Sequence, residues 1–347
     1  MHFASDNAGP VPQQVLDALS RANQGYAPSY GSDPLSQEVV AQMRALFEAP
    51  EAAVYLVPTG TAANVLALAC LCPPFGTVFC APRAHIQEDE CNAPEFYTGG
   101  AKLTLVGTED QMTPEALIHA IENEGNRGVH GPLRGPVSIT QVTEGGNTYS
   151  LDELRALTAV AASYDLPVHL DGARLANACA RLDVSPAEMS WKSGVDICVF
   201  GGTKNGLMGA EAVVIFDPAK ALEFELRRKR GAHLFSKHRY LAAQMQAYLA
   251  DDLWLSLARQ ANAHCDALYS GLSDIGVSIA TKTPANMLFM ELPRATHQAI
   301  QAKGAVYHLS DDRDGPEDEI LAGRLVCDWS QTPEAISEFL ETVRRAL

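Results

Sequence analysis

The sequence has little of what marks an exported, membrane-spanning or zinc-binding protein. No apolar stretch reaches the ~18 residues of a membrane span, and the start, MHFASDNAGPVPQQ, lacks the basic and apolar segments of a signal peptide. The eight cysteines include no CxxC pair, which favours small core residues in a reducing compartment over disulfides or a zinc site. We therefore expect a cytoplasmic protein without a membrane segment.

Positive charge is also scarce. The 347 residues include 26 lysines and arginines against 42 aspartates and glutamates, which gives a formal net charge of -16. Because nucleic acids and anionic membranes are bound through dense positive charge, we expect neither as a partner. Hydrophobic residues make up 47% of the chain and charged residues 20%, a balance typical of soluble globular enzymes, and the length predicts about two domains.

Strand and helix patterns alternate along most of the chain. Seven short β-rich runs predict strands at 52–57, 77–81, 103–107, 137–143, 166–170, 196–200 and 212–216. Helical patterns between them include 34–47 behind an Asp33 cap, 61–71, 113–123, and 151–164 behind a Ser150 cap. Most of the strand runs are continuously apolar, which is typical of strands covered on both faces. We predict an α/β fold with a mainly parallel, doubly wound, seven-stranded sheet.

The pattern changes after residue 235. A long helical stretch to Leu272 is followed by strands at 287–292 and 323–329 and by a final helix from Pro333. This predicts a smaller C-terminal α/β domain, and we assign 1–240 to a large cofactor-binding domain and 241–347 to the small domain. Because no low-complexity linker separates the two parts, we expect a fixed interface between them.

Polar residues follow three of the predicted strands, at the edge where open α/β sheets bind ligands. Gly60 and Thr61 begin a helix whose free N–H groups and hydroxyl suit a phosphate. Asp171 ends an apolar strand, and Lys204 follows the next strand between glycines, in FGGTKNG. Plainer interpretations are an ordinary helix start, a helix cap and a solvated lysine in a turn. His169 beside Asp171 could suggest a metal, but no companion cluster has suitable spacing, so we predict none.

Together these groups match one small molecule. A lysine that bonds to a carbonyl carbon must be partly desolvated, because a permanently protonated amine is not a nucleophile. Pyridoxal 5'-phosphate has a carbonyl for Lys204, a phosphate for the helix start, and a ring nitrogen that Asp171 would keep protonated. The competing interpretation of GGTKNG as a nucleotide phosphate loop fails because the order GxxxxGKS or GxxxxGKT is absent. The sequence therefore predicts pyridoxal 5'-phosphate as the cofactor.

Motifs along nearly the whole chain resemble those of one enzyme family: FASDN, YGSDP, GTAAN, AHIQEDECNAPEFYTGGAKL, ITQVTEGGNTY, HLDGARLANACA, FGGTKNG and RLVCDW. The chain is similar to the threonine aldolase and beta-eliminating lyase family of fold-type I pyridoxal-phosphate enzymes, and more narrowly to bacterial low-specificity L-threonine aldolases. The resemblance implies a carbon-carbon lyase that cleaves L-3-hydroxy-α-amino acids to glycine and an aldehyde. An alanine racemase, a β-eliminating lyase or a non-enzymatic cofactor-binding regulator on this fold stay open as alternatives.

The resemblance also implies residues that hold the cofactor. Lys204 would carry it, Asp171 would face the ring nitrogen, and Arg174 would lie near the phenolic oxygen. Gly60 and Thr61 would hold the phosphate.

Further contacts are implied across a subunit interface. Arg230 and Lys237 would complete the phosphate site from a neighbouring subunit, although 227–230 could equally be a solvated helix face. Tyr30 would reach the neighbouring subunit's site. A homodimer or homotetramer with shared active sites is therefore expected.

The proton chemistry is implied less completely. His85 would lie against the cofactor ring as an acid or base, unless it is a capping or core histidine, and Asp89 would orient its ring or bind water. Many relatives carry a second histidine after the fourth strand, and Glu144 stands near that place here. Whether His85, a water that it activates, or Glu144 takes the substrate's hydroxyl proton is left open.

Substrate recognition is implied at the two ends of the chain. Ser5 and Arg324 would hold the substrate carboxylate, with Arg174 nearby. The plainer alternative for Arg324 is a structural ion pair with a carboxylate of SDDRDGPEDE. Threonine, allo-threonine and phenylserine are candidate substrates, because the sequence does not fix the shape of the pocket around Cβ.

Overall fold

A seven-stranded sheet forms the centre of the computed structural model, which describes residues 1–311 and 313–347. Its strands are β1 Ala53–Val57, β2 Gly76–Cys80, β3 Lys102–Leu105, β4 Leu133–Thr140, β5 Val168–Asp171, β6 Ile197–Gly201 and β7 Glu211–Ile215. They lie in the spatial order β1-β7-β6-β5-β4-β2-β3. Four neighbouring pairs are parallel: β6 with β5, β5 with β4, β4 with β2, and β2 with β3. The predicted α/β class and the mainly parallel seven-stranded sheet are confirmed.

Strand β7 runs in the opposite direction to the other six. It is antiparallel to both of its neighbours, β1 and β6. Its first residue, Glu211, pairs with Gly201 at the end of β6 and with Val57 at the end of β1. The start of β7 therefore lies at the same sheet edge as the carboxyl ends of the parallel strands, where ligands collect.

Helices cover both sides of this sheet and continue into the C-terminal part. They are α1 Gln13–Ala22, α2 Pro34–Leu46, α3 Gly60–Leu71, α4 His85–Glu88, α5 Ala93–Thr98, α6 Pro114–Asn123, α7 Leu151–Ser163, α8 Leu175–Leu182, α9 Ala221–Arg230, α10 Arg239–Leu249, α11 Leu253–Asp274, α12 Arg294–Ala302 and α13 Pro333–Ala346. Among the residues that the structure describes, no helix is both long and apolar enough to cross a membrane.

Capping residues explain where several helices begin. The Asp33 side chain accepts the Ser36 N–H before α2, and Ser150 and Glu153 form a reciprocal capping box at α7, so both predicted caps are confirmed. Helix α3 begins one residue earlier than predicted, because Thr59 accepts the Ala62 N–H.

The predicted helix from 235 to 272 is interrupted at Ala250–Asp252, where two aspartates have positive φ, so it forms α10 and α11 instead.

The C-terminal part contains a second, antiparallel sheet in the order β10-β11-β9-β8. Its strands are β8 Ser278–Ile279, β9 Met287–Pro293, β10 His308–Leu309 and β11 Ile320–Val326. The two longer strands correspond to the two predicted ones, although β11 begins and ends three residues earlier than 323–329. The short edge strands β8 and β10 have too few residues to produce a recognisable pattern.

Each sheet has its own hydrophobic core. The core on the small sheet contains Leu268 of α11, Phe339 of α13 and, from the other end of the chain, Phe3. The Phe3 ring lies 4.8 Å from that of Phe339, and its N–H donates to the carbonyl of Val306. The N-terminal residues are thereby held against the C-terminal part, close to the interface with the large sheet. The domain boundary at residue 240 stays a prediction.

Candidate active site

Five of the predicted site residues line one cavity at the functional edge of the large sheet. Its volume is about 340 Å³. The full lining comprises Asn7, Pro58, Thr59, Gly60, Thr61, Asn64, His85, Asp171, Ala173, Thr203, Lys204, Met208, Gly209 and Glu211. Strands β1, β5 and β6 end here and β7 begins here, so residues far apart in sequence meet in one place.

The start of α3 provides the anion-binding side of this cavity. Thr59 Oγ1 accepts the N–H of Ala62 at 3.1 Å, and the N–H groups of the first helical turn have no partner within the helix. Gly60 leaves open space in front of its Cα, since a Cβ there would meet no atom within 4 Å. A phosphate can therefore approach the backbone of Gly60 and Thr61, where the helix dipole favours negative charge.

Lys204 lies in a short 3-10 turn, Thr203–Asn205, directly after β6. The Asn205 side chain anchors the turn by donating to the Tyr248 hydroxyl at 2.6 Å and to the Trp254 carbonyl at 2.8 Å. Gly206 ends the turn at φ 109, a conformation that favours glycine. Lys204 itself is half-buried. This is the partly desolvated position that an amine needs for covalent chemistry.

Asp171, the last residue of β5, is 1% exposed. Its Oδ2 accepts from Asn64 Nδ2 at 3.0 Å, and its Oδ1 accepts the Ala173 N–H at 3.1 Å. Helix α8 has Arg174 at its N-cap position and no side-chain cap, so Asp171 does not cap that helix. A buried carboxylate held in this way at a cavity wall suits a cationic ring nitrogen.

His85 begins α4 and is held by a buried glutamate. Its Nδ1 lies 2.8 Å from Glu90 Oε1, which also accepts from Asn64 Nδ2 at 2.9 Å. Asn64 therefore joins the carboxylates of Glu90 and Asp171. The sequence analysis expected Asp89 to orient the ring, but α4 is a single turn that ends at Glu88, and Asp89 is exposed. Glu90, one residue later, turns back into the protein and takes that position.

This arrangement shifts the pKa values of both partners. Burial lowers the pKa of His85, but the hydrogen bond to Glu90 and the charges of Asp171 and Glu144 outweigh this effect and raise the pKa above its ordinary value. Burial raises the pKa of Glu90, and the hydrogen bonds from His85 and Asn64 offset only part of that rise. Both shifts therefore favour a proton held between the two side chains.

Arg174 forms a buried ion pair beside the cavity. Its Nε and Nη2 donate to Asp6 at 2.7 and 3.2 Å, and Asn286 Nδ2 donates to the same carboxylate. Burial alone would raise the pKa of Asp6, yet the charges of Arg174 and Lys204 hold it below its ordinary value. Glu144 Oε1 lies 3.5 Å from Arg174 Nη1. That nitrogen is buried and has no hydrogen-bond acceptor among residues 1–311 and 313–347.

Ser5 and Arg324 belong to two segments that meet at the junction of the two sheets. Arg324, on β11, donates from Nη2 to the carbonyl of Ala4 at 3.2 Å. The Ser5 hydroxyl accepts the N–H of Asn7, which lines the cavity. The Nε of Arg324 is a buried donor that finds no acceptor in the described part of the chain. An unpaired guanidinium nitrogen at this place suits a carboxylate ligand.

The alternative of a structural ion pair for Arg324 finds no support. Asp311 pairs with Arg313, and Glu319 pairs with Arg294. The remaining described carboxylates of SDDRDGPEDE form no ion pair with Arg324 either, and Asp312 lies outside the described residues.

The three residues predicted to act across a subunit interface do not line this cavity. Tyr30 is 45% exposed, with Lys229 Nζ 4.7 Å from the centre of its ring, and it lines a separate surface cavity of about 700 Å³. Arg230 is exposed and lines another of about 670 Å³, and Lys237 is exposed. Their roles towards a neighbouring subunit stay predictions. The segment 227–230 is not a uniformly solvated face, because Arg228 is 7% exposed and donates to the Leu56 carbonyl.

The sequence analysis passed over four residues that the structure brings to the site: Asp6, Asn64, Glu90 and Glu211. Two carried a usable signal. Asn64 is the one polar side chain after the first turn of α3, GTAANVLALACL, and Glu211 is the one charged residue in the apolar run LMGAEAVVIF. A lone polar group in a buried element usually has a specific partner.

Within the residues that can be described, no group of three or more potential metal ligands comes together.

Comparisons with known proteins agree with this geometry. Residues 2–294 match the beta-eliminating lyase family. The low specificity L-threonine aldolase of Pseudomonas aeruginosa is 38% identical over 343 residues, which are 99% of this chain and 96% of the relative.

Solved structures give the same picture. The threonine aldolase of Leishmania major superimposes with a TM-score of 0.92 at 25% identity, covering 99% of this chain and 98% of that one. A serine palmitoyltransferase variant from S. paucimobilis with a bound aldimine of pyridoxal 5'-phosphate and myriocin shares the fold, with a TM-score of 0.68 at 16% identity over 100% of this chain and 87% of that chain. The predicted fold-type I architecture is confirmed. The chain belongs to the beta-eliminating lyase family, whose members depend on pyridoxal 5'-phosphate, and it is similar to low-specificity L-threonine aldolases.

Proposed function

We propose that this protein is a pyridoxal-phosphate-dependent aldehyde-lyase that cleaves L-3-hydroxy-α-amino acids, such as L-threonine and L-allo-threonine, to glycine and an aldehyde. The observation that carries the proposal is the single cavity lined by Lys204, Asp171, His85 and the start of α3. Family membership and the similarity to L-threonine aldolases support the same conclusion.

The residues present fit the cofactor. Gly60 provides open space at a helix start, Asp171 is a buried carboxylate at the wall, and Lys204 is a half-buried amine that lines the same cavity. These three would hold the phosphate, the ring nitrogen and the reactive carbon. Arg174 lies beside Asp6 at the same edge. When bound, the cofactor supplies an electron sink for the carbon-carbon bond that breaks.

The substrate carboxylate would be held by the two ends of the chain. Arg324 donates to the carbonyl of Ala4, the residue before Ser5. Among the described residues, the buried Nε of Arg324 and the buried Nη1 of Arg174 have no hydrogen-bond acceptor. A guanidinium that is already buried loses little solvation when it takes a carboxylate. Binding there would orient the substrate for its β-hydroxyl to be turned towards His85.

His85 is the group that we assign to the hydroxyl proton. Its Nδ1 is committed to Glu90, so Nε2 is the nitrogen free to take the proton, directly or through one water. The proton leaves the β-hydroxyl as the aldehyde forms, and the α-carbon of glycine is protonated before release. Glu144 is the competing candidate, but its carboxylate is already engaged with the Arg174 guanidinium, whose Nη1 lies 3.5 Å from Glu144 Oε1.

The assembly and the location are proposed from the same resemblance and from composition. In a homodimer or homotetramer, Tyr30 and the basic residues Arg230 and Lys237 would complete a neighbouring subunit's site. Their exposure, and the fact that they do not line their own subunit's cavity, support this arrangement. The scattered cysteines, of which most are buried, favour the cytoplasm.

A product analysis tests the reaction. Purified protein would be mixed separately with L-threonine, L-allo-threonine, L-phenylserine and L-serine, and the products identified. We expect glycine and the matching aldehyde from the first three. Racemised substrate, or a keto acid with ammonia, would instead point to a racemase or a β-eliminating lyase.

Borohydride reduction and peptide mapping test the site separately. The cofactor is expected on Lys204, and Lys204→Ala is the control that should remain unlabelled there. A label on another lysine, or no bound cofactor, would refute the assignment.

A further inference from the structure

Glu211 is a buried acid that the proposed chemistry leaves without a role. It is 4% exposed, lines the cavity, and is the first residue of β7. Because β7 is antiparallel to β6, Glu211 lies directly beside Gly201, the last residue of β6 and three positions before Lys204. A carboxylate is costly to bury without a partner, so its position calls for an explanation.

Both carboxyl oxygens of Glu211 bind the turn that carries the lysine. The N–H of Gly202 donates to Oε2 at 2.7 Å, and the Thr203 hydroxyl donates to Oε1. The carboxylate thus fixes the two residues that precede Lys204. No ion pair to Glu211 is found within 1–311 and 313–347, so its charge is not neutralised by a direct cation contact.

The two other carboxylates at this place have partners or roles of their own. Asp6 is paired in a bidentate manner with Arg174. Asp171 accepts from the neutral donors Asn64 and Ala173, and in the proposed function its charge faces the ring nitrogen of the cofactor. His85 contributes no negative charge.

On the far side of Glu211, the Tyr248 hydroxyl donates to the Gly201 carbonyl, and its pKa is raised, chiefly by burial. It is therefore a neutral neighbour. Because Asp6 is paired with Arg174 and Asp171 is assigned to the ring nitrogen of the cofactor, Glu211 is the carboxylate at this place that is left to act on Lys204 among the described residues.

We propose that Glu211 is a positioning residue for Lys204: its carboxylate fixes the turn that presents the lysine, and its negative charge favours a proton on the lysine nitrogen when that nitrogen is bonded to the cofactor. This inference rests on the proposed function, because it assumes that Lys204 carries the cofactor. A protonated nitrogen at this place makes the attached carbon easier for a substrate amine to attack.

The pKa of Glu211 lies near neutral pH. Burial raises its pKa to about 7, although hydrogen bonds from Thr203 and Gly202 and the charge of Lys204 act in the opposite direction. Its charge, and with it the effect on Lys204, is therefore present at mildly alkaline pH and fades as the pH falls below neutral.

The test is a pH titration of the visible absorbance of the protein with its cofactor attached, which reports the protonation of the lysine nitrogen without any turnover. Glu211→Gln keeps the size of the side chain and removes its charge. We expect the lysine nitrogen of this variant to bind its proton about tenfold more weakly. The midpoint of the spectral titration should therefore move to lower pH by about one unit. Glu211→Asp keeps the charge, so its midpoint should lie close to that of the wild type.

Glu124→Gln is the matched control. Glu124 is also buried, at 7% exposed, and accepts from Lys102 and from the Thr104 hydroxyl, but it lies beside the edge strand β3. Its substitution should leave the midpoint within a few tenths of a pH unit.

The possible failures are distinguishable. If the wild type binds no cofactor at Lys204, the proposed function fails. If the wild type is coloured at Lys204 but Glu211→Gln leaves the midpoint unchanged, or Glu124→Gln shifts it equally, this inference is overturned and the proposed function stands. Should Glu211→Gln not fold, Thr203→Val removes one donor to the carboxylate, favours its neutral form and should shift the midpoint in the same direction. An unchanged midpoint in that variant would also overturn the inference.

Discussion

Replacing Glu90 by glutamine removes one negative charge from the pair with His85 while keeping the side chain's shape. Glu90 Oε1 lies 2.8 Å from His85 Nδ1 and 2.9 Å from Asn64 Nδ2. The Glu90 side chain is fully buried, and 23% of the His85 side chain is exposed. A glutamine carbonyl can accept the same two hydrogen bonds, so we expect the variant to fold and to bind the cofactor.

The expected effect on pH dependence follows from the pKa of His85. Burial lowers that pKa, and the Glu90 hydrogen bond, with the charges of Asp171 and Glu144, raises it above the ordinary value. A hydrogen bond to a charged partner is stronger than a neutral one by roughly 1.4 kcal/mol, which corresponds to about one pH unit. A base acts only when it is deprotonated. Glu90→Gln lowers the pKa, so the acid limb of kcat/KM should move about one unit to lower pH.

The assay is aldehyde release from L-threonine, measured across a pH series with saturating cofactor. Asp89→Asn is the matched control, since it removes a carboxylate one residue away that is exposed and does not hold the ring. The control should leave the acid limb within a few tenths of a pH unit. If Glu90→Gln leaves the limb in place, or Asp89→Asn moves it by the same amount, the assignment of His85 as the base with Glu90 as its partner is refuted.

Three further predictions test the other roles. Asp171→Asn should fold but lose at least ~100-fold in turnover, because the ring nitrogen loses a buried charged partner; activity within a few-fold of wild type would argue against that role. His85→Asn should lower the maximal cleavage rate with the cofactor still bound, whereas the converse pattern, with Glu144→Gln inactive and His85→Asn nearly normal, would make Glu144 the base. Arg324→Lys should weaken glycine binding by roughly 2 kcal/mol or more in a spectroscopic titration, with thermal stability almost unchanged; normal glycine binding would leave Arg174 as the carboxylate clamp.

Much of the large sheet could be predicted from local patterns. All seven predicted strands are present, and the caps at Asp33 and Ser150 begin helices as expected. These features depend on neighbouring residues, because a side-chain cap and an apolar run act within a few positions. The edge strands β8 and β10 could not be predicted, since two residues carry no periodicity and their pairing depends on β9 and β11.

The site was predictable where a residue follows its own strand or begins its own helix. Gly60, Asp171 and Lys204 were found in this way, and all three line the cavity. The sequence analysis chose Asp89 to hold His85 because helical spacing favours a residue four positions on. Because α4 is only one turn long, helical spacing does not extend to Asp89, and Glu90 points into the protein instead.

The sequence by itself determined the fold class, the positions of the main strands and helices, and the residues whose chemistry matches a pyridoxal-phosphate enzyme. Only the tertiary structure decided which of them meet. Asp6 reaches Arg174 across 168 residues and Asn286 across 280. Glu211 faces the lysine turn because β7 runs against its neighbours, which places the beginning of that strand where the others end. The physical reason is that periodicity and capping are local, whereas strand direction and contacts over long sequence separations are set by how the whole chain packs its two cores.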